Sequence, residues 1–370
     1  MIQRQYGLTL LPAWLSFLLI LTVLPSIHFH ALKSGLPSWQ VATIGVLLFV
    51  TIPVMFPCED WSSDLMVKGL FVENFIYHTL DIAYFPQALT SKWTFKEYAE
   101  YMITAENESV RRYEAKVLGE DKRRQVNKGR SVAWKDQNTI FLITMALRLI
   151  FDYGIIVVVS AFHLKYPYGN CGTILNPFDT HCVAHQIMYA VFGSASIDIT
   201  FVGVVLPLTW LVQGNFTLPS HSFFLASSLQ DFWSNRWNFT FTVSMRRTVF
   251  LPVLNFLRGA KHSKEHKTNK FHAFIACMCV FFVSGLKHEA FLIGAMGEAA
   301  YKHLFASTGF FIIQGLLFSA SLVIKKSIGF GVTWGTGLAG DVSSRLLTVC
   351  ALMIAAPMFV YPHVDSGYVV

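Results

Sequence analysis

Apolar runs of bilayer length recur along the whole chain, near 10–29, 39–57, 139–163, 183–213, 271–298, 303–324 and 344–362. A helix needs about 20 mostly apolar residues to cross the hydrocarbon core. The 183–213 run holds Ser194, Ser196 and Asp198, so it reads as one broken helix or two short ones. A further stretch, 239–257, is interrupted by Arg246, Arg247 and Pro252 and is a candidate re-entrant segment. The expectation is an all-α, polytopic transmembrane helical bundle of about seven to nine membrane segments. The first run has no small-residue cleavage site and is followed by Pro25 and His28, which predicts a membrane helix or signal anchor.

Composition agrees. Charged residues are 14% of the chain and apolar residues 54%. Soluble domains carry about 25% charged residues, so lipid must be part of this chain's solvent. The net charge of +7 is concentrated in short segments beside apolar runs. That pattern predicts cytoplasmic loops facing anionic membrane lipid, and no nucleic acid.

Two hydrophilic segments, 91–136 and 258–270, are rich in lysine and arginine, which assigns both to the cytoplasmic face. The first mixes both charge signs with good helix formers and predicts a surface helix. Between them the chain must make a return trip, outward through 139–163 and back through 183–213. The three glycosylation sequons, at Asn107, Asn215 and Asn238, then lie near the cytoplasmic side and are expected to be unused. Cys171 and Cys182 flank a short polar loop on the far side, where a disulfide would be tolerated; unpaired thiols are the expectation. No internal repeat is evident, and the chain reads as one membrane-embedded domain over 1–370, with its motifs in 220–300.

Ser228 to Pro252 packs Asp231, Asn235, Arg236 and Asn238 among Phe232, Trp233, Trp237 and Phe239. If helical, it places Asp231, Asn235 and Asn238 on one face. An interfacial amphipathic helix explains this pattern without catalysis. The second segment, Phe271 to Ala300, is apolar until Ser284 and then meets Lys287, His288 and Glu289. Intramembrane ionisable residues are costly and face a cavity or a partner. Three in a row cannot share one helix face. A helix that ends here would leave them in water, but 290–295 is apolar again.

A buried neutral histidine can take the proton of an alcohol as it attacks a thioester. An asparagine amide can donate to the developing oxyanion or orient the alcohol. No nucleophilic cysteine or serine is required. The histidines form no HExxH set, and His181 with His185 lacks a third ligand, so no metal is expected.

These two segments resemble a known family. SLQDFWSNRWN is similar to the SLQDFWGRRWN-type motif of the wax synthase branch of the membrane-bound O-acyltransferase superfamily, and FFVSGLKHEA is similar to that branch's VSGLMHE-type histidine motif. Their order and separation also agree. The resemblance spans roughly Ser228 to Ala290. It implies that His288 is the membrane histidine and Asn238 the family asparagine, in a tunnel entered by CoA from the cytosol and by the alcohol from the membrane. It further implies acyl-CoA, either acetyl-CoA or a fatty acyl-CoA, as co-substrate with no permanently bound cofactor, and a lipophilic alcohol as acceptor. Ser234-Asn235 stands where the family often has glycine and arginine, while Arg236 is kept.

CoA phosphates need cationic contacts. Arg236, Trp237, Arg246, Arg247 and Lys287 are the candidate donor-binding residues, with Arg258 nearby; lipid headgroups are the alternative partners of the arginines. The 91–136 segment looks like an insertion in fungal members that decorate terpenoid or polyketide-derived alcohols. This tilts the expectation toward acetyl or other short-acyl transfer to a terpenoid or sterol-type alcohol, with a wax ester synthase acting on fatty alcohols as the alternative. A transporter or channel is the alternative of another class, supported by intramembrane Asp198, Lys287, His288 and Glu289 and opposed by both motifs. The soluble acyltransferase signatures HHxxxDG and DFGWG are not present in the sequence. Endoplasmic reticulum is the expected membrane.

Overall fold

The computed structural model describes residues 12–55, 73–118, 131–166, 180–218, 225–259, 269–296, 301–328 and 338–365. The chain falls into two compact units, 1–146 with 200–218, and 147–199 with 219–370. Most of 258–270 and of the 167–182 loop, including Cys171, lies outside the described residues.

Five described helices are long and apolar enough to cross a membrane: Trp14–Lys33 (α1), Thr139–Lys165, Cys182–Leu211, Lys270–Ile293 and Tyr301–Ile324. A bent pair, Val342–Met353 with Ala356–His363, makes a sixth if taken as one span. Among the described residues this is fewer than the seven to nine expected. At 39–57 the apolar helix Ser38–Met55 (α2) has its described side chains over Ser38–Thr51, too few for it to be counted as a span.

Three π-turns interrupt these helices, at Leu19–Val23, Phe201–Val205 and Arg246–Phe250. Each ends two residues before a proline, at Pro25, Pro207 and Pro252. Proline has no N–H, and its ring crowds the carbonyl four residues back. Those carbonyls belong to Leu21, Gly203 and Thr248, the middle residue of each π-turn. The wider turn absorbs the clash without breaking the helix. The 183–213 run is therefore one continuous helix. The 239–257 stretch is likewise helical throughout, as Phe239–Met245, the π-turn and Leu251–Arg258.

In the first unit, Glu73–Ile82 (α3), Phe95–Thr104 (α4) and Glu108–Leu118 (α5) follow α2. The charged segment is more than a surface helix. Thr94 and Glu97 form a reciprocal capping box that starts α4. Tyr98, Tyr101 and Met102 on α4 are buried with Ile20, Leu24, Phe49 and Ile82. The Tyr98 hydroxyl lies 2.8 Å from His28 Nδ1, and the Tyr101 hydroxyl donates to Asp81 Oδ2 at 2.6 Å. Asn107 is fully buried; its Oδ1 accepts from the Val110 N–H and its Nδ2 donates to the Glu97 carbonyl. That environment has no room for a glycan.

Thr139–Lys165 (α6) and Thr180–Leu211 (α7) make the return trip. Strand Ser131–Val132 (β1) before α6 pairs antiparallel with Phe216–Thr217 (β2) after α7. The start of α6 and the end of α7 therefore lie on one side. Farther along, Arg148 on α6 pairs with Asp198 on α7. His163 and His185 meet at 3.0 Å between their Nδ1 atoms. The His181 side chain lies outside the described residues. Cys182 is disulfide-bonded, where unpaired thiols were the expectation.

Candidate active site

The site lies in the second unit. Its elements are Leu229–Asp231 with the π-turn Phe232–Arg236 (α8), the helix from Phe239 to Arg258 (α9), Lys270–Met296 (α10), Ala306–Ile328 (α11), Leu338–Met353 (α12) and Ala356–Asp365 (α13).

The first motif braces itself. Ser228 Oγ accepts from the Asp231 N–H at 3.0 Å. Asp231 in turn accepts from the Ser227 N–H, from Asn235 Nδ2 at 3.3 Å and from Arg236 Nε at 2.6 Å. Burial alone would raise the Asp231 carboxyl, but the Arg236 hydrogen bond, the Ser227 N–H, the Arg236 charge and Asn235 outweigh it and hold it below its ordinary value. Trp237 is extended, at φ −95° and ψ 124°, and ends the turn. Its ring stacks on Phe232, 5.7 Å between centroids and 13° between planes.

Asn238 does not share a helical face with Asp231 and Asn235. The extended Trp237 breaks the helix, and Asn238 takes a left-handed conformation at φ 39° and ψ 64° that opens α9. Such a conformation is uncommon outside glycine, and asparagine is among the residues that tolerate it. Asn238 Oδ1 accepts from the Phe241 N–H at 3.3 Å, capping the new helix. This fixes the amide with its acceptor occupied. Among the described residues Nδ2 makes no hydrogen bond, so a donor is left over. Thr242 Oγ1 ties the first turn of α9 back to the Trp233 carbonyl at 3.3 Å.

α10 does not end at its charged triplet; it runs on to Met296. Each of the three residues is accommodated differently. The Lys287 ammonium lies 4.1 Å from the centre of the Phe241 ring, one turn into α9. Glu289 is buried, and its Oε1 accepts from the Thr308 N–H at 3.0 Å, in the first turn of α11. A carboxylate is favoured at a helix N-terminus. Gly285, one turn before Glu289, permits this close approach: a Cβ there would lie 2.6 Å from Thr308 Cα. Thus Gly285 and Glu289 seat α11 against α10.

His288 is half-buried, and two aromatic rings flank it. Phe311 of α11 stacks on it at 4.9 Å and 14°. Phe359 of α13 meets it edge-on at 5.1 Å and 81°. Among the described residues neither ring nitrogen is hydrogen-bonded. Trp233 of the first motif packs on Phe281, Phe310 and Phe311, so both motifs share one aromatic cluster. Phe311 and Phe359 carried no signal in the sequence, because the chain has 33 phenylalanines and no periodicity singles these out.

The other expected residues separate. Arg236 is ion-paired with Asp231, Arg247 is buried and Arg246 is exposed. Lys287 and Asn238 are brought together through the first turn of α9, by Phe241.

Residues 219–313 match the family described as "Membrane bound O-acyl transferase family". The chain is similar to "Probable long-chain-alcohol O-fatty-acyltransferase 3" of Arabidopsis thaliana, 30% identical over 47% of each chain. It is 28% identical to "Long-chain-alcohol O-fatty-acyltransferase" of Simmondsia chinensis, over 38% of each chain. It is also 30% identical to "Acyl-CoA--sterol O-acyltransferase 1" of Arabidopsis thaliana, over 37% of this chain and 36% of that one. The match thus spans less than half the length of these relatives.

Proposed function

We propose that this chain, whose residues 219–313 belong to the membrane bound O-acyl transferase family and resemble its wax synthase-like branch, is an acyl-CoA-dependent O-acyltransferase acting on a lipophilic alcohol. The observation that carries this is His288: a half-buried imidazole with no hydrogen bond among the described residues, against an aromatic cluster shared with the motif that holds Asn238.

The mechanism follows from these groups. A ring nitrogen of His288 takes the hydroxyl proton as the alcohol oxygen attacks the thioester carbonyl. The C–O bond forms, and the carbonyl oxygen becomes an oxyanion, to which Asn238 Nδ2 donates. The intermediate collapses with loss of the C–S bond. The CoA thiolate leaves and takes the proton back from the imidazolium, which meanwhile lies against the Phe311 face. No charge is left in the site.

Donor binding is assigned to the α9 side of α10. Arg246, exposed on α9, is the leading CoA-phosphate contact, with Lys287 beside the reacting histidine. Trp237, Arg236 and the buried Arg247 are kept as residues that shape this side. All 370 residues are read as one acyltransferase domain.

The finer reading is transfer of acetyl or another short acyl group to a terpenoid or sterol-type alcohol. Relatives named for long-chain alcohols support a fatty-alcohol acceptor instead, and one named for a sterol supports the polycyclic class. The endoplasmic reticulum is the proposed site: the disulfide at Cys182 fits an oxidising lumen on the far side of the α6–α7 hairpin. Membranes carrying the chain, given acetyl-CoA or palmitoyl-CoA with hexadecanol, a sterol or a terpenoid alcohol, test all of this. Ester in at least one pairing is expected, and no ester in any pairing would refute the acyltransferase.

A further inference from the structure

α12 and α13 form a bent apolar helix pair, of span length when taken together. They meet at a bend of 53°. A break between helices frees backbone carbonyls, which lipid cannot satisfy. Gln314, fully buried on α11, supplies the missing donor: its Nε2 donates to the Ala351 and Leu352 carbonyls at 3.1 and 3.3 Å. Thus the bend is built and held from the same helix that stacks Phe311 on His288.

The bend turns Phe359 onto the histidine. Its ring also packs on Phe310 at 5.1 Å, on Phe311 at 5.9 Å and on His363 at 4.7 Å. His363 Nδ1 lies 2.6 Å from the Phe359 carbonyl. A carbonyl only accepts, so that nitrogen carries the proton and donates. The His363 ring is buried and also meets Tyr189 of α7. Phe359 is therefore clamped at its backbone and on its ring. The surrounding Phe310, Phe311, Ala355 and His363 are buried, whereas Phe359 and His288 are both partly open. Phe359 is thus the half-buried ring that meets His288 edge-on.

The two flanks of His288 differ in chemistry. Successive residues on a helix point about 100° apart. Lys287 points to the Phe241 ring of α9, and His288 to the aromatic rings of α11 and α13. The cationic flank suits the CoA donor and the apolar flank an alcohol arriving from lipid.

We propose that Phe359, clamped by His363, sets the bulk of the lipophilic alcohol admitted to His288. This rests on the acyltransferase reading above. Phe359→Ala, Phe359→Leu and Phe359→Trp, with His363→Ala, are each given palmitoyl-CoA and an equimolar mixture of hexadecanol and a sterol. One or two carbon groups in an apolar pocket are worth roughly 10–200-fold in selectivity. The sterol-to-hexadecanol product ratio is expected to rise about tenfold in Phe359→Ala, less in Phe359→Leu and His363→Ala, and to fall in Phe359→Trp. The Leu and Trp variants keep the test open if the Ala variant fails to fold. An unchanged ratio with equal loss of both esters would overturn the assignment and leave a structural role. Absence of any ester from the unaltered protein, with every donor and alcohol named above, would instead overturn the acyltransferase reading and this proposal with it.

Discussion

The ring of Phe311 lies nearly parallel to that of His288, with 4.9 Å between centroids and 14° between planes. The arrangement orients the imidazole without using either nitrogen. It also places an aromatic face against the cation that forms when the histidine is protonated. Such contacts are worth about 1–2 kcal/mol when shielded from water. Phe311→Leu should therefore lower kcat by about 5- to 30-fold with little change in KM. Phe311→Tyr should retain most activity. Steady-state kinetics of the two variants checks this; equal losses in both would assign Phe311 to packing alone.

Asn238 serves two roles that substitution can separate. Its Oδ1 caps α9, and its backbone sits at a positive φ. Glycine accepts that conformation without cost and caps nearly as well, but has no amide to offer an oxyanion. Asn238→Gly should melt within a few degrees of the unaltered protein and lose turnover by about 10²–10³-fold. Asn238→Ala should lose both. Melting in detergent, measured beside turnover, distinguishes the roles.

Gly285 and Glu289 act on the seat of α11. Gly285→Ala forces its Cβ toward Thr308 Cα, a backbone atom that yields only if the helix moves. Glu289→Ala strands the buried Thr308 N–H, at a cost of about 1–3 kcal/mol. Both variants should lower the melting temperature. Glu289→Gln keeps an acceptor and should cost less than half as much as Glu289→Ala. A Gly285→Ala protein with unchanged melting and activity would contradict this packing.

The Asp231–Arg236 pair gives a pH dependence. The Asp231 carboxyl is held below its ordinary value, so the folded state binds that proton less readily than the unfolded state. Its contribution is full above the unfolded value of about 3.9 and is lost as pH falls through the lower, folded one. Asp231→Asn should therefore be less stable than the unaltered protein at neutral pH, with the gap closing in strong acid. Melting curves across that range test the sign.

Much of this is legible in the sequence. The runs at 139–163, 271–298 and 303–324 correspond closely to membrane helices, because length and apolarity decide them. The motif pair marked His288 by the cost of an ionisable residue in an apolar helix. What the sequence hid was set by distant contacts. The bend between α12 and α13 falls at Ile354 and Ala355, with neither proline nor glycine there; Gln314, some 40 positions earlier, holds it. The helical face imagined for Asp231, Asn235 and Asn238 failed at Trp237, whose extended backbone no periodicity foretold. Conversely, the π-turns at Leu19–Val23, Phe201–Val205 and Arg246–Phe250 were within reach, since each of these three precedes a proline at the same offset.

The central claim is that His288 moves the alcohol proton. Its most direct test is ester formation by His288→Ala in proteoliposomes, on the donor and alcohol pair that the unaltered protein uses best, with melting in detergent as the control for folding. A positioned general base contributes about 10²–10⁴-fold. The account predicts a loss of at least that order in a protein that still melts cooperatively. Turnover equal to that of the unaltered protein would contradict it.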